Sequence, residues 1–547
     1  MRGRDVFLDS LRLHGVSRIF GNPGTTESPL MDNLSDYPMI EYVMHLHEGV
    51  AVGAANFYAQ ASGGTGVANM HVAPGLGNAI GMIYGGLKNS SPMIITAGAQ
   101  DTRIRLRGPV LGHDLVAMAE PVTKWSVQVE HADEMAAIMQ RAFKIANEYP
   151  KGPVFVALPI NVMEQDTENA AYTSGDLQID SLASEESIAR VAELIDQSRN
   201  PAIVAGDEIS RGGARDALVA LSEKAGIGVH SELICGRFNF PIDHDHFRSR
   251  LGPDNAAVQQ VLADNDLVIL MGGSFFEEVW FAPQSPFADG TTVVHLEPGA
   301  QRIAFNLGVT LGIAGDLKDA LTRITVLASD SPERRKSLSE RKMVENQAEQ
   351  ERFAALHDRM PMTPSRALAE VAAAIPDDAV IADESITATA DVMRHFKLGS
   401  SHDFFGGKGG GIGQGVAGAL GAAVARPDQQ VVATSGDGSA MYSIQALWTA
   451  AHHKLQILFV ILSNREYRVL KHNIDQYRRR FNAPSNKPYP HMDLANPVLG
   501  FREMAAGMGV PGVQVSDPTQ IAEAVRDGLA VDGPFVLDLI VEGLETR

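Results

Sequence analysis

Short, uninterrupted apolar runs recur along this chain, each bounded by turn residues and separated from the next by stretches of helical spacing. Ile457 to Leu462 shows the pattern most clearly: an unbroken apolar run between Lys454 and Asn464. A run this short cannot span a bilayer, which takes about 20 residues. Flanked in this way it reads as a strand buried on both faces, the condition of a central strand in a parallel sheet. Ser17 to Phe20, Val67 to His71, Met93 to Thr96, Pro201 to Ala205, Leu267 to Met271, Thr292 to His295, Ala379 to Ala382, Gln430 to Ala433 and Pro534 to Ile540 repeat the theme. Asp5 to His14 and Val416 to Ala425 are among the helical stretches between them. Strand and helix alternating in this way predict βα units on parallel sheets.

The alternation breaks twice. Met163 to Ser187 is rich in Asp, Glu, Ser and Thr and reads as a linker. Ser329 to Pro364 is highly charged, reads as partly helical, and closes on Pro361 and Pro364. The chain therefore divides into three doubly wound α/β domains, 1–165, 185–335 and 360–547, the first and third alike in architecture.

Charge and cysteine content exclude several classes. A formal net charge of −20 argues against nucleic acid, whose binding depends on Lys and Arg neutralising phosphates. Arg478-Arg479-Arg480 is the one basic run; it reads as a solvated face, or as contact with an anionic substrate tail such as coenzyme A. The single cysteine, Cys235, rules out an intrachain disulfide and a Cys-His zinc cluster, and fits a reducing compartment. Met1 to Gly15 lacks the apolar core of a signal peptide. The expectation is a cytoplasmic protein with neither a membrane nor a nucleic-acid partner.

The chemistry concentrates at Thr434-Ser435-Gly436-Asp437-Gly438-Ser439, directly after the strand at Gln430 to Ala433. A helical stretch, Met441 to His452, leads to the strand Ile457 to Leu462, which ends at Ser463-Asn464. Asp437 and Asn464 thus leave the carboxyl ends of two nearby strands, the edge where open α/β sheets bind ligands. A carboxylate and an amide oxygen suit a hard cation that takes its remaining ligands from phosphate and water. The glycines let backbone N–H groups face a phosphate at a helix start.

This spacing resembles the thiamine-diphosphate motif of the decarboxylase and acetolactate-synthase superfamily. Within it the benzoylformate decarboxylases are the nearest in letters, through Gly21-Asn22-Pro23-Gly24, Asn69-Met70-His71, Tyr442-Ser443-Ile444 and Ala446 to Ala451. The resemblance implies thiamine diphosphate and Mg²⁺ as cofactors, with the side chains of Asp437 and Asn464 and the backbone carbonyl of Glu466 on the metal. It implies that Glu48, in His45-Leu46-His47-Glu48-Gly49, hydrogen-bonds the aminopyrimidine. In the family that glutamate and the diphosphate site come from different subunits, which implies a homodimer at least and often a tetramer. The glycine tract Gly406 to Gly413 resembles the segment wrapping the pyrimidine, with the Gly410 carbonyl on the 4′-amino group and Ile412 as the wedge between the rings. Ser385, Thr387, Gly438, Ser439 and Tyr467 match neighbours of the diphosphate.

On the substrate side, His71 matches a catalytic histidine and Thr25 replaces a serine that touches the substrate carboxylate. The family's second histidine falls on Val279, and His113 stands near a position where relatives carry His or Gln. The implied activity is non-oxidative decarboxylation of a small 2-oxo acid to an aldehyde. A carboligase or 2-hydroxyacyl-CoA lyase using the same cofactor is the alternative. A non-catalytic regulatory or FAD-retaining relic is disfavoured, because Glu48, Asp437 and Asn464 are all present.

Overall fold

The computed structural model describes residues 1–175, 177 and 181–544, so part of the expected first linker (176 and 178–180) lies outside the described residues. Three six-stranded parallel sheets form, as the alternation predicts. The first holds β1 (Arg18–Gly21), β2 (Glu41–Met44), β3 (Gly66–Met70), β4 (Met93–Ala99), β5 (Trp125–Gln128) and β6 (Pro153–Pro159). The second holds β7 (Pro201–Ala205), β8 (Gly228–Ser231), β9 (Phe247–Arg250), β10 (Leu267–Met271), β11 (Thr292–Glu297) and β12 (Leu311–Ala314). The third holds β13 (Val380–Glu384), β14 (Asp403–Gly406), β15 (Val431–Gly436), β16 (Ile457–Ser463), β17 (Gly512–Val515) and β18 (Phe535–Ile540).

The spatial orders are β2-β1-β3-β4-β6-β5, β12-β11-β10-β7-β8-β9 and β14-β13-β15-β16-β18-β17. The first and third sheets therefore share one winding, as their sequences suggest. In both, the order reverses between the first and third strands of the sheet, β1 and β3 in one and β13 and β15 in the other. Such a switch point opens a crevice at the carboxyl ends of the strands.

One segment differs from expectation. The helix predicted over Met441 to His452 is interrupted: one turn spans Asp437–Ala440, and helix resumes at Ala446–His452. Between them the Ser443 hydroxyl donates to the Gly413 carbonyl at 2.8 Å, an alternative partner of the kind that draws serine out of helices. The charged second break is partly helical, as expected: a 25-residue helix, Pro332–Leu356, with Leu338 as its buried residue, lies within it.

The chain forms two compact units. One comprises Met1–Gly175, Leu356–Phe396 and the chain from Phe405 onward, and carries the first and third sheets. The other comprises the segment between Gly175 and Leu356 together with Lys397–Phe404. In the first unit the helix Glu48–Ser62 packs on the helix Gln414–Ala425, and both are buried nearly all round. That burial explains why neither shows a polar stripe. Small residues let the backbones close up: Ala417 faces Gly53, and Phe57 lies over Gly418. One apolar cluster runs from Phe20 through Phe57 and Val416 to Phe459. Each fully buried phenylalanine in it contributes about 1.5–3 kcal/mol by transfer from water. Among the described residues no helix is long and apolar enough to cross a membrane.

Candidate active site

The switch point of the third sheet carries the residues that the motif singled out. β15 and β16 are parallel neighbours with Gly436 opposite Leu462, so Asp437 and Asn464 emerge side by side. Ser385 and Thr387 follow β13, the neighbour on the other side. Ser385, Thr387, Asp437, Gly438, Ser439, Asn464, Glu466 and Tyr467 all line one cleft.

The loop after β16 wraps around Asp437. Its carboxylate accepts the N–H of Arg465 at 2.6 Å and that of Gly438 at 2.8 Å. Asn464 Oδ1 accepts the Glu466 N–H at 3.0 Å. The Glu466 side chain is pinned in turn by the buried Lys471 ammonium and by the Leu544 N–H, the latter at 2.5 Å. Burial pushes the Asp437 carboxyl up to about 6; the two N–H donors pull it down, and the Asp538 and Glu466 carboxylates add to the rise. A buried acid among acids is the environment a divalent cation offsets. Among the described residues no three His, Cys, Asp or Glu side chains cluster to hold a metal. The donors here are instead one carboxylate and one amide, a set that suits Mg²⁺ completed by phosphate oxygens. The buried Ser385 hydroxyl has no hydrogen-bond partner, so it can donate to a phosphate. On both counts the cleft fits a magnesium diphosphate.

Three β-branched or long side chains are held at positive φ beside candidate residues: Ile386 at 52°, between Ser385 and Thr387; Arg465 at 60°, between Asn464 and Glu466; and Val72 at 40°, after His71. For a β-branched residue such a φ is a genuine outlier, and backbone strain of this kind gathers at functional sites.

Glu48 does not line the cleft of its own chain. It opens the helix Glu48–Ser62, whose start is fixed by His47, the ring Nδ1 accepting the Gly49 N–H at 3.0 Å. Glu48 Oε2 accepts from Asn78 Nδ2 at 3.1 Å, and its carboxylate packs against Gly75, one turn into the helix Val72–Lys88. The glycine tract meets the same helix at Gly81, about 9 Å farther along at the helical rise per residue. The tract is an ordered segment: the Gln414 side-chain amide donates to the carbonyls of Lys408 (2.9 Å) and Gly411 (2.7 Å), which bracket Gly410 and precede Ile412.

At the switch point of the first sheet, His71 leaves β3 and stands at the N-cap position of the helix Val72–Lys88, its ring making no capping bond. Its Nδ1 lies 2.9 Å from the carboxylate of Glu27, which leaves Nε2 as the atom that can face a substrate. The Glu27 side chain is 1% exposed. It accepts the N–H groups of Gly24 (2.9 Å) and Gly98 (2.7 Å) and the Thr26 hydroxyl (3.0 Å). A Cβ on Gly24 would sit 2.2 Å from the His71 ring, so glycine is required for this approach. Thr26, not Thr25, contacts His71, at 3.3 Å; Thr25 is exposed one residue earlier. His113 is exposed, as is Val279 in the other unit.

Sequence reasoning missed Glu27, Asn78 and Lys471. Glu27 follows Thr25-Thr26 at a helix start, where an acid is ordinary. Only the fold brings Gly98 and His71 to it. Arg478, in the basic run, bonds the Lys487 carbonyl at 2.8 Å and stacks on Tyr489. With Arg479 and Lys487 it borders a cavity of 840 Å³.

Comparison with known proteins covers nearly all of the chain. Residues 1–118 match the model of the thiamine pyrophosphate enzyme N-terminal TPP binding domain, 188–324 the central domain, and 387–539 the C-terminal TPP binding domain. Benzoylformate decarboxylase of Pseudomonas aeruginosa is 29% identical over 546 residues, covering 98% of each chain. The acetolactate synthase large subunit of Parasynechococcus marenigrum is 27% identical, covering 98% of this chain and 87% of its own. An X-ray structure of an inferred thiamin diphosphate-dependent enzyme from Mycobacterium smegmatis superimposes with a TM-score of 0.85 at 30% identity, covering 99% of this chain and all of that one.

Proposed function

The chain belongs to the thiamine pyrophosphate enzymes, and from that premise we propose that it decarboxylates a 2-oxo acid to an aldehyde without oxidation. The observation that carries the proposal is the pair of switch points, each lined by chemically suited side chains. One gathers Asp437 and Asn464 with Ser385 and Thr387; the other presents a histidine set by a buried carboxylate. The full-length likeness to a benzoylformate decarboxylase supports the same reading.

In this reading Asp437, Asn464 and the Glu466 carbonyl hold Mg²⁺, and Ser385, Thr387, Gly438, Ser439 and Tyr467 surround the diphosphate. Thiamine diphosphate, when bound, supplies the electron sink that lets CO₂ leave. Glu48 holds a proton against the aminopyrimidine, the Gly410 carbonyl takes its amino group and Ile412 sets the angle between the rings. His71 moves a proton at the substrate through Nε2, and Glu27 holds the ring in that orientation. Thr25 stands at the mouth for the substrate carboxylate. Because Glu48 lies outside its own chain's cleft, we place it in the cleft of a second protomer. That arrangement makes the enzyme a homodimer at least, and a tetramer if two dimers pair. We take it to work in the cytoplasm, its partners being small molecules.

A screen of 2-oxo acids with Mg²⁺ and thiamine diphosphate, measuring CO₂ and aldehyde, tests the activity. Aromatic and branched acids should release one aldehyde per CO₂. CO₂ release with ligation products and no free aldehyde would move the chain to the carboligases. The cavity beside Arg478 and Arg479 favours one further substrate class, acyl-CoA thioesters, and a 2-hydroxyacyl-CoA belongs in the same screen.

The histidine and its carboxylate should act as one device. His71→Ala and Glu27→Gln are each expected to lower kcat by about ten- to a hundredfold, with thiamine diphosphate affinity nearly unchanged. The double variant should fall no further than His71→Ala alone. Additive losses in that cycle would show that Glu27 acts elsewhere.

A further inference from the structure

Two adjacent acids end β13, Asp383 and Glu384. Successive residues of a strand point to opposite faces, and these two hold different segments: the turn at Ser385 and the glycine tract. Asp383 accepts the Ser385 N–H (3.0 Å) and the hydroxyls of Thr389 (2.6 Å) and Thr434 (2.7 Å). It therefore fixes the turn that carries Ser385 and Thr387.

Glu384 turns the other way. Its two oxygens accept the N–H groups of Gly413 (2.9 Å), Gln414 (3.2 Å) and Gly415 (3.2 Å). These lie at the start of the helix Gln414–Ala425, where backbone N–H groups have no partner within the helix. The approach is as close as it can be: a Cβ on Gly415 would stand 2.6 Å from Glu384 Cβ. Gln414, placed by this contact, is the residue whose amide holds the carbonyls of Lys408 and Gly411. One carboxylate, 6% exposed, thus holds the C-terminal end of the glycine tract together with the Gln414 side chain that orders the rest; the Ser443 hydroxyl on the Gly413 carbonyl is a second support. Burial pushes that carboxyl up to about 8, and the three N–H groups pull it down.

We infer that Glu384 is the positioning residue for the aminopyrimidine half of the cofactor and Asp383 that for the diphosphate half, so that the two halves can be lost separately. The inference rests on the reading of the cleft as the thiamine diphosphate site. Neither acid lines the cleft; each acts through the groups it holds.

The test compares the full-length chain with its Glu384→Ala and Glu384→Gln variants in Mg²⁺. Calorimetry gives the affinity for thiamine diphosphate and, separately, for inorganic diphosphate, and circular dichroism follows the melt. Glu384→Ala should weaken thiamine diphosphate by about 10- to 100-fold, the range for lost supporting partners, while inorganic diphosphate changes by less than about threefold. Glu384→Gln, which keeps one acceptor oxygen, should fall between wild type and Glu384→Ala. If Glu384→Ala does not melt cooperatively, Glu384→Gln carries the same comparison. Equal losses for both ligands would mean general disorder, and no loss for either would mean no positioning role; each overturns the inference. Wild type that fails to bind thiamine diphosphate would overturn the reading of the cleft itself, a result the variants alone cannot produce.

Discussion

Glu48→Gln should give a folded protein that still binds thiamine diphosphate but turns over at least about a hundredfold more slowly. The substitution keeps the shape of the side chain and an oxygen that can accept from Asn78, which holds Glu48 at 3.1 Å. It removes the carboxylate that can hold or release a proton at the pyrimidine. The competing account is that Glu48 is an acid at a helix start, favoured by the dipole. On that account the variant would lose about 0.3–1 kcal/mol of stability and no rate. The two accounts therefore separate in a single experiment: CO₂ release at saturating cofactor, beside a melting curve. Wild-type turnover with a lowered melting temperature would return Glu48 to the cap.

What the chain discloses in letters differs from what it discloses only in space, and the reason is physical. Ile457 to Leu462 is legible because a strand buried on both faces must be apolar throughout, and β16 is that strand. β9, by contrast, reads Phe-Arg-Ser-Arg at a sheet edge, where nothing forces an apolar run. Asp437 and Asn464 are legible because their spacing encloses one strand–helix–strand unit, so sequence distance translates directly into two adjacent strand ends. Glu27 and His71 are 44 residues apart and meet only because β1 and β3 are neighbours at a topological switch. No local pattern reports that. The same holds for Glu384, whose three N–H partners lie about thirty residues downstream. The order of the glycine tract is likewise invisible in its letters, since it comes from the Gln414 side chain on two of its carbonyls. Thr26 adds to this: the letters single out Thr25, and only the fold sets the next hydroxyl, that of Thr26, against His71.

Asp437→Ala should purify without thiamine diphosphate, and its melting temperature should not respond to Mg²⁺ and cofactor. The geometry gives both parts. On the proposed reading Asp437 offers the metal a carboxylate, and its oxygens also hold the loop of Asn464 and Glu466 through the Arg465 N–H. Alanine removes the ligand and frees that loop, whose residue Arg465 is kept at a φ of 60°. A ligand that binds only the folded state stabilises it by about 2.7 kcal/mol at a hundredfold excess over its Kd, so wild type should gain about two degrees for a chain of this size, and more at higher excess, where the variant gains none. Without cofactor the order of stability need not follow. The carboxyl of wild-type Asp437 is buried beside Asp538 and Glu466 and pushed up to about 6, a cost that alanine relieves. The decisive comparison is therefore the ligand-induced shift rather than the absolute melting temperature. A variant that melts like wild type in buffer and fails to respond to Mg²⁺ with thiamine diphosphate identifies Asp437 as the metal's carboxylate. A variant whose cofactor content and shift equal those of wild type would place the metal elsewhere.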